Sequence, residues 1–161
     1  MSMSGISLAP EVKAAFLEMK QNKSYGYIII KLDKKQKVME LFRTGPKNAG
    51  AKSRDDAEGN FLEMISVLQS EEEKDEEKNV WSNPCFVVYD FPLMTQTTQN
   101  INRLVLISKI FDSSPLRLKM IYAATMESVR SQLDIQHKVN VNDASDMSFD
   151  FIEQELKSKK V

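Results

Sequence analysis

"RLVLISKIFDSSPLRLKMIYAATMESVRSQL", residues 103–133, changes period halfway along. Its first part, 103–111, is a nearly unbroken apolar run rich in branched residues, which suits a strand buried on both faces. After Ser114 and Pro115 the apolar residues recur at helical spacing. Ser114 reads as an N-cap and Pro115 as a first helical residue. Advancing 100° per residue gathers Leu118, Ile121, Tyr122, Thr125, Val129 and Leu133 on one face, wide enough to seat on a sheet. An interior strand feeding a long amphipathic helix implies alternating layers.

The segments on either side agree. Upstream, "CFVVYDF" (85–91) reads as a second interior strand, joined to the first through the polar "MTQTTQN". "YGYIIIKL" (25–32) and "KVMELF" (37–42) form a hairpin around "DKK". "APEVKAAFLEMK" (9–20) is a helix with Pro10 at its first position, and "FLEMISVL" (61–68) a short one. Downstream, "KVNVN" (138–142) alternates like an edge strand, and "DMSFDFIEQEL" (146–156) is a final helix capped by Asp146 or Ser148. Residues 43–60 and 70–82 read as long surface loops. The expectation is one domain over 1–161, an α/β layered fold. Its mixed sheet of five to six strands is sandwiched between helices on both faces.

Composition narrows the function. At 161 residues, 42% hydrophobic and 28% charged, the chain can bury a real core. It offers no run long enough for a membrane span and no secretory signal at its N-terminus. One cysteine, Cys85, cannot staple the chain to itself, so a cytoplasmic setting is expected. Net charge is −1, of which "EEEKDEEK" (71–78) contributes −4, leaving a body near +3. That balance is too weak and scattered for nucleic acid; a partner with an acidic surface fits better.

Catalytic machinery is hard to assemble. The single histidine, His137, could pair formally with Cys85 as a thiol hydrolase. The five glycines form no phosphate-cradling loop, Cys/His metal ligands are too few, and the acidic run lacks a calcium-loop spacing. The expectation is no enzyme, no cofactor and no metal.

The outward face of the long helix is more informative. It carries Leu116, Met120, Ala123, Glu127 and Ser131, with Arg117 and Ala124 on one margin and Lys119 and Arg130 on the other. Apolar residues between basic margins suit an interface with an apolar centre and a polar rim. Arg117 also stands at the positive end of the helix dipole, where it costs about 0.3–1 kcal/mol.

"SPLRLKMIYAAT" resembles the signature helix of the actin-depolymerising factor/cofilin family. "MSMSGISL" is similar to its N-terminus, "YGYIIIKL" and "CFVVYDF" to its central strands, and "VNDASDMSFDFIEQEL" to its closing segment. The resemblance covers nearly the whole chain, apart from the two long loops. It implies a sheet flanked by two helix pairs, no catalysis, and binding of actin monomers and filaments by a cytoskeleton-associated monomer. Carried over by position, it implies actin contacts at Met3, Ser4, Gly5, Ile6, Leu116, Arg117, Lys119, Met120, Ala123, Glu127 and Arg130. Ser4 matches a regulatory phosphorylation site, and phosphoinositides would compete for the same basic margins.

Two departures stand out. "SKIFDSSP" lacks the tryptophan–x–proline step that precedes the helix in the family. On the filament side the hairpin offers Arg103, and the last helix has Gln154 and Glu155 where the family has Glu-Arg, with Lys157, Lys159 and Lys160 in the tail as substitutes. Weakened filament decoration and severing are expected. Within the same fold, a glia-maturation-factor-like binder of the branch-nucleating actin-related complex is the alternative.

Overall fold

The structure, a computed structural model, describes residues 5–47, 53–73, 83–94 and 100–158. In chain order the elements are β1 (Ser7–Leu8), α1 (Pro10–Asn22), β2 (Tyr25–Leu32), β3 (Val38–Pro46), α2 (Arg54–Glu73), β4 (Cys85–Met94), β5 (Asn100–Lys109), α3 (Leu116–Leu133), β6 (His137–Val141) and α4 (Phe149–Ser158). One 3₁₀ turn, Ala144–Asp146, precedes α4.

All six strands form a single mixed sheet in the order β1-β3-β2-β4-β5-β6. The β1–β3 and β5–β6 pairs are parallel and the rest antiparallel. Alternation along each strand divides the core into two layers. Ile28, Ile30, Phe86, Val88 and Leu106 face α1 and α3, meeting Val12, Phe16, Met19, Tyr122 and Val129. Tyr27, Ile29, Val87, Tyr89 and Ile107 face α2 and α4, meeting Phe61, Met64, Leu68, Phe149 and Ile152. A single-residue slip in β2 would exchange these two sets, so the register is fixed from both sides. No helix among the described residues is long and apolar enough to cross a membrane.

The expected loop at 43–60 is largely ordered structure. β3 runs on to Pro46, and α2 begins at Arg54, two turns before the expected start. Ser53 starts that helix: its hydroxyl accepts from the Asp56 N–H (3.2 Å) and its carbonyl from the Ala57 N–H (3.1 Å). Asp55 and Asp56 then favour the first turn through the dipole. Of the second expected loop, 70–73 are helical and 74–82 lie outside the described residues, with most of the acidic run. At α4 the choice of cap falls on Ser148, whose Oγ accepts from the Phe151 N–H at 3.2 Å.

Candidate functional site

The start of α3 differs from the expectation by one residue. Pro115 occupies the N-cap position, and its carbonyl accepts from the Lys119 N–H at 3.0 Å. Ser114 is buried, and its N–H closes a tight turn onto the Phe111 carbonyl at 2.9 Å. No side chain caps the helix, and no acid lies in its first turn.

The inner face of α3 is fastened to the sheet. Tyr122 packs on Phe86 with ring centroids 5.2 Å apart, and its hydroxyl accepts from the Leu32 N–H at 2.8 Å. Thr125, Val129 and Leu133 are buried beneath later turns. This anchorage fixes which side points outward. Leu116 and Met120 are 70% and 63% exposed, the largest values among the exposed large hydrophobic residues described. Arg117, Ala123, Ala124 and Ser131 are exposed beside them.

Both flanking cations are held by neutral oxygens. The Arg117 Nε donates to Gln36 Oε1 at 2.8 Å, and the Lys119 Nζ to the Asp112 carbonyl at 3.1 Å. Neither has a carboxylate partner among the described residues. Their rotamers are therefore restrained while their charge stays uncompensated. Gln36 is placed by a turn in which Asp33 Oδ1 accepts from the Lys37 and Val38 N–H groups at 2.8 and 3.1 Å. These bonds hold the Asp33 carboxyl below its ordinary range, the Lys37 bond most. Gln36 itself adopts a left-handed conformation, φ 59°.

The same turn receives the N-terminal segment. Ser7 donates its N–H to the Lys37 carbonyl at 3.1 Å, and Ala9 to the Met39 carbonyl at 2.9 Å. Residues far apart in sequence thus converge on one edge. Gly5 is exposed at φ +75°, but Ile6 is 7% exposed and packs in the α1/α3 layer. Its side chain anchors the segment to that layer and leaves little surface for the contact expected of it. Met3 and Ser4 lie outside the described residues.

Glu127 and Arg130, two turns further on, are engaged with each other. Arg130 Nε donates to Glu127 Oε1 at 2.8 Å, a second guanidinium nitrogen also bonds this oxygen, and a third donates to the Ile135 carbonyl at 3.0 Å. Lys138 reaches the other Glu127 oxygen at 3.4 Å. The Arg130 bond, above all, holds the Glu127 carboxyl below its ordinary range.

The filament-side candidates are scattered. Arg103 is half-buried on β5 near His137. Gln154 is exposed on α4. Lys157 lies 3.9 Å from the buried Glu153 carboxylate, which Arg54 also meets at 3.3 Å, while Arg54 additionally pairs with Asp150. Lys159 and Lys160 lie outside the described residues. Arg54 was not anticipated; its partners lie 96 and 99 positions away, and no local pattern announces them.

The possible Cys85–His137 couple does not form. Cys85 is fully buried opposite Lys109, whereas His137 sits opposite Val105, four residues along β5 or about 13 Å.

Restrained cations thus surround an exposed apolar pair on a helix packed against the sheet. A sequence model described as cofilin/tropomyosin-type actin-binding protein matches residues 5–157, and the chain belongs to this family of actin-binding, cytoskeletal proteins. It is similar to actin-depolymerizing factor 7 of Arabidopsis thaliana, 30% identical over 151 residues that cover 92% of this chain and 93% of the relative. Actin-depolymerizing factor of Vitis vinifera is 29% identical over 153 residues, 94% and 92% of the two chains. The solution structure of the ADF-like UNC-60A protein of Caenorhabditis elegans superimposes with a TM-score of 0.73 at 19% identity, covering 95% of this chain and 94% of that one, a likeness of fold.

Proposed function

We propose that the chain binds actin monomers and filaments through the first half of α3 and promotes filament turnover in the cytoplasm without catalysing a reaction. The observation that carries this reading is the exposed Leu116–Met120 pair between Arg117 and Lys119, whose charges no described carboxylate offsets. Such a surface suits an acidic cleft with an apolar floor. Turnover needs only differential affinity: a protein that prefers one subunit conformation shifts the filament toward it by that difference. Gly5 leads into the strand held on the hairpin turn, and phosphate on Ser4 would repel an acidic partner. Phosphoinositide headgroups would compete for the same cations.

The filament side is weaker. Gln154 brings no charge where the family resemblance expects Glu, Glu155 brings the wrong sign, and Lys157 shares its charge with Glu153. Saturating decoration and severing are reduced accordingly. Two measurements on the wild type and Arg117→Ala/Lys119→Ala test the reading: cosedimentation with filaments, and nucleotide exchange on monomers. Expected are slowed exchange, partial pelleting, and loss of both in the variant. Unchanged exchange with the wild type would overturn it. Binding to the branch-nucleating complex with no affinity for actin would establish the alternative.

A further inference from the structure

A second site lies on the opposite layer, between the end of β3 and the middle of α2. A cavity of about 300 Å³ is lined there by Tyr27, Arg43, Thr44, Lys47, Asn60 and Glu63, among others. Asn60 and Glu63 share one helical stripe, so α2 presents both to the space. The Tyr27 ring lies against the Gly45 backbone so closely that a Cβ at Gly45 would stand 2.0 Å from Cε2. Glycine is what allows the phenol to reach this position.

Tyr27 is 6% exposed, yet its hydroxyl has no hydrogen-bond partner among the described residues. At the cavity wall that hydroxyl is available to donate to a bound acceptor. Burial pushes the phenol above its ordinary pKa; Arg43 opposes this and Glu63 adds to it.

The donors and acceptors sort by wall. Arg43 and Lys47 come from the β3 side with Tyr27, and two cations with a phenol suit the oxygens of a phosphate. Glu63 and Asn60, across the cavity, are acceptors for hydroxyl groups. The volume stands at the small end of ligand sites, too little for a nucleotide. We propose that this cavity binds a small phosphorylated polyol. Arg43 and Lys47 hold its phosphate, the Tyr27 hydroxyl donates to it, and Glu63 and Asn60 accept from the polyol hydroxyls.

The test is a titration of the full chain followed by backbone amide NMR, with glycerol 3-phosphate, inorganic phosphate and glycerol as separate probes. Phosphatidylcholine vesicles with and without a phosphoinositide form a further arm. Saturable shifts at residues 27, 43–47 and 60–67 are expected with glycerol 3-phosphate, weaker ones with phosphate, and none with glycerol. Tyr27→Phe, which keeps the ring, should weaken binding roughly fivefold to tenfold. Gly45→Ala should abolish it by displacing the phenol. If only the phosphoinositide vesicles bind, and Tyr27→Phe weakens them, the phosphate comes from a lipid headgroup and the site stands. No saturable shift with any probe, or affinity indifferent to Tyr27→Phe, overturns it.

Discussion

The two halves of α3 carry the same kinds of side chain and use them oppositely. In the first half, Arg117 and Lys119 rest on an amide and a backbone carbonyl, so their charge stays available and Leu116 and Met120 stand exposed between them. In the second, Arg130 and, from β6, Lys138 close on Glu127, and Arg130 also caps the Ile135 carbonyl. The second half obeys the helix dipole, with a cation in its last turn; the first half opposes it. Arg117 therefore costs its own helix, and neither cation meets a carboxylate among the described residues.

The most direct way to break this contrast is to neutralise each half in turn. Arg117→Ala/Lys119→Ala should weaken actin binding on the order of a hundredfold, about tenfold per interface anchor, with no loss of melting temperature. Arg130→Ala should do the reverse, lowering stability while changing affinity only a few fold. Equal losses of affinity from both variants, measured by fluorescence titration of labelled monomers, would erase the distinction between the halves.

The inner face sharpens the comparison. Tyr122→Phe keeps the ring against Phe86 but leaves the Leu32 N–H without its 2.8 Å acceptor. The expected cost is about 1–3 kcal/mol in urea unfolding. Affinity for actin should hold at temperatures where the variant is folded. Leu116→Ala, six residues earlier and on the outer side, should weaken binding and leave the urea midpoint in place.

A third variant extends the contrast to the other layer. Glu153 is buried between Arg54 and Lys157, a closed cluster like that of Glu127. Glu153→Ala should cost about 1–2 kcal/mol, moderated because both cations can turn to water. Monomer binding should not change. A loss of monomer affinity would place part of the interface on α4.

What the sequence made legible follows from the range of the interactions. Strand faces and the α3 faces depend on periods of two and 3.6, which neighbours in the chain encode. Hence "YGYIIIKL" fell on Tyr25–Leu32 and the outward strip of α3 on exposed residues. The early start of α2 was obscured by Gly59 and Asn60 within it, although Ser53 followed by Asp56 carries a capping signal. Two-residue β1 is too short to read from pattern. Its pairing with β3 nevertheless buries Ile6 and joins the N-terminus to the turn holding Arg117. Contacts of that kind, like Arg54 with α4, are decided by tertiary placement and leave no local trace.

The smallest expected effect concerns pH and the strand that follows the closed half of α3. Burial, and then the charge of Arg103, push the His137 imidazole below its ordinary pKa. The folded protein therefore binds that proton more weakly than the unfolded chain does. The stability involved is present above the ordinary histidine pKa of about 6.5 and is lost as pH falls through the lower folded value. His137→Gln should flatten the urea midpoint between about pH 7 and pH 5, and Arg103→Gln only part of the way, because burial is the larger cause. The Glu127 carboxyl, also held low, loses its contribution only at more acid pH, below the ordinary carboxylate range. The two groups thus separate along the pH axis. If the first half binds actin as proposed, affinity should stay level across the histidine window, since arginine and lysine do not titrate there. A drop in affinity that follows His137 would mean that the two halves of α3 are coupled, and that the open half is not independent of the closed one.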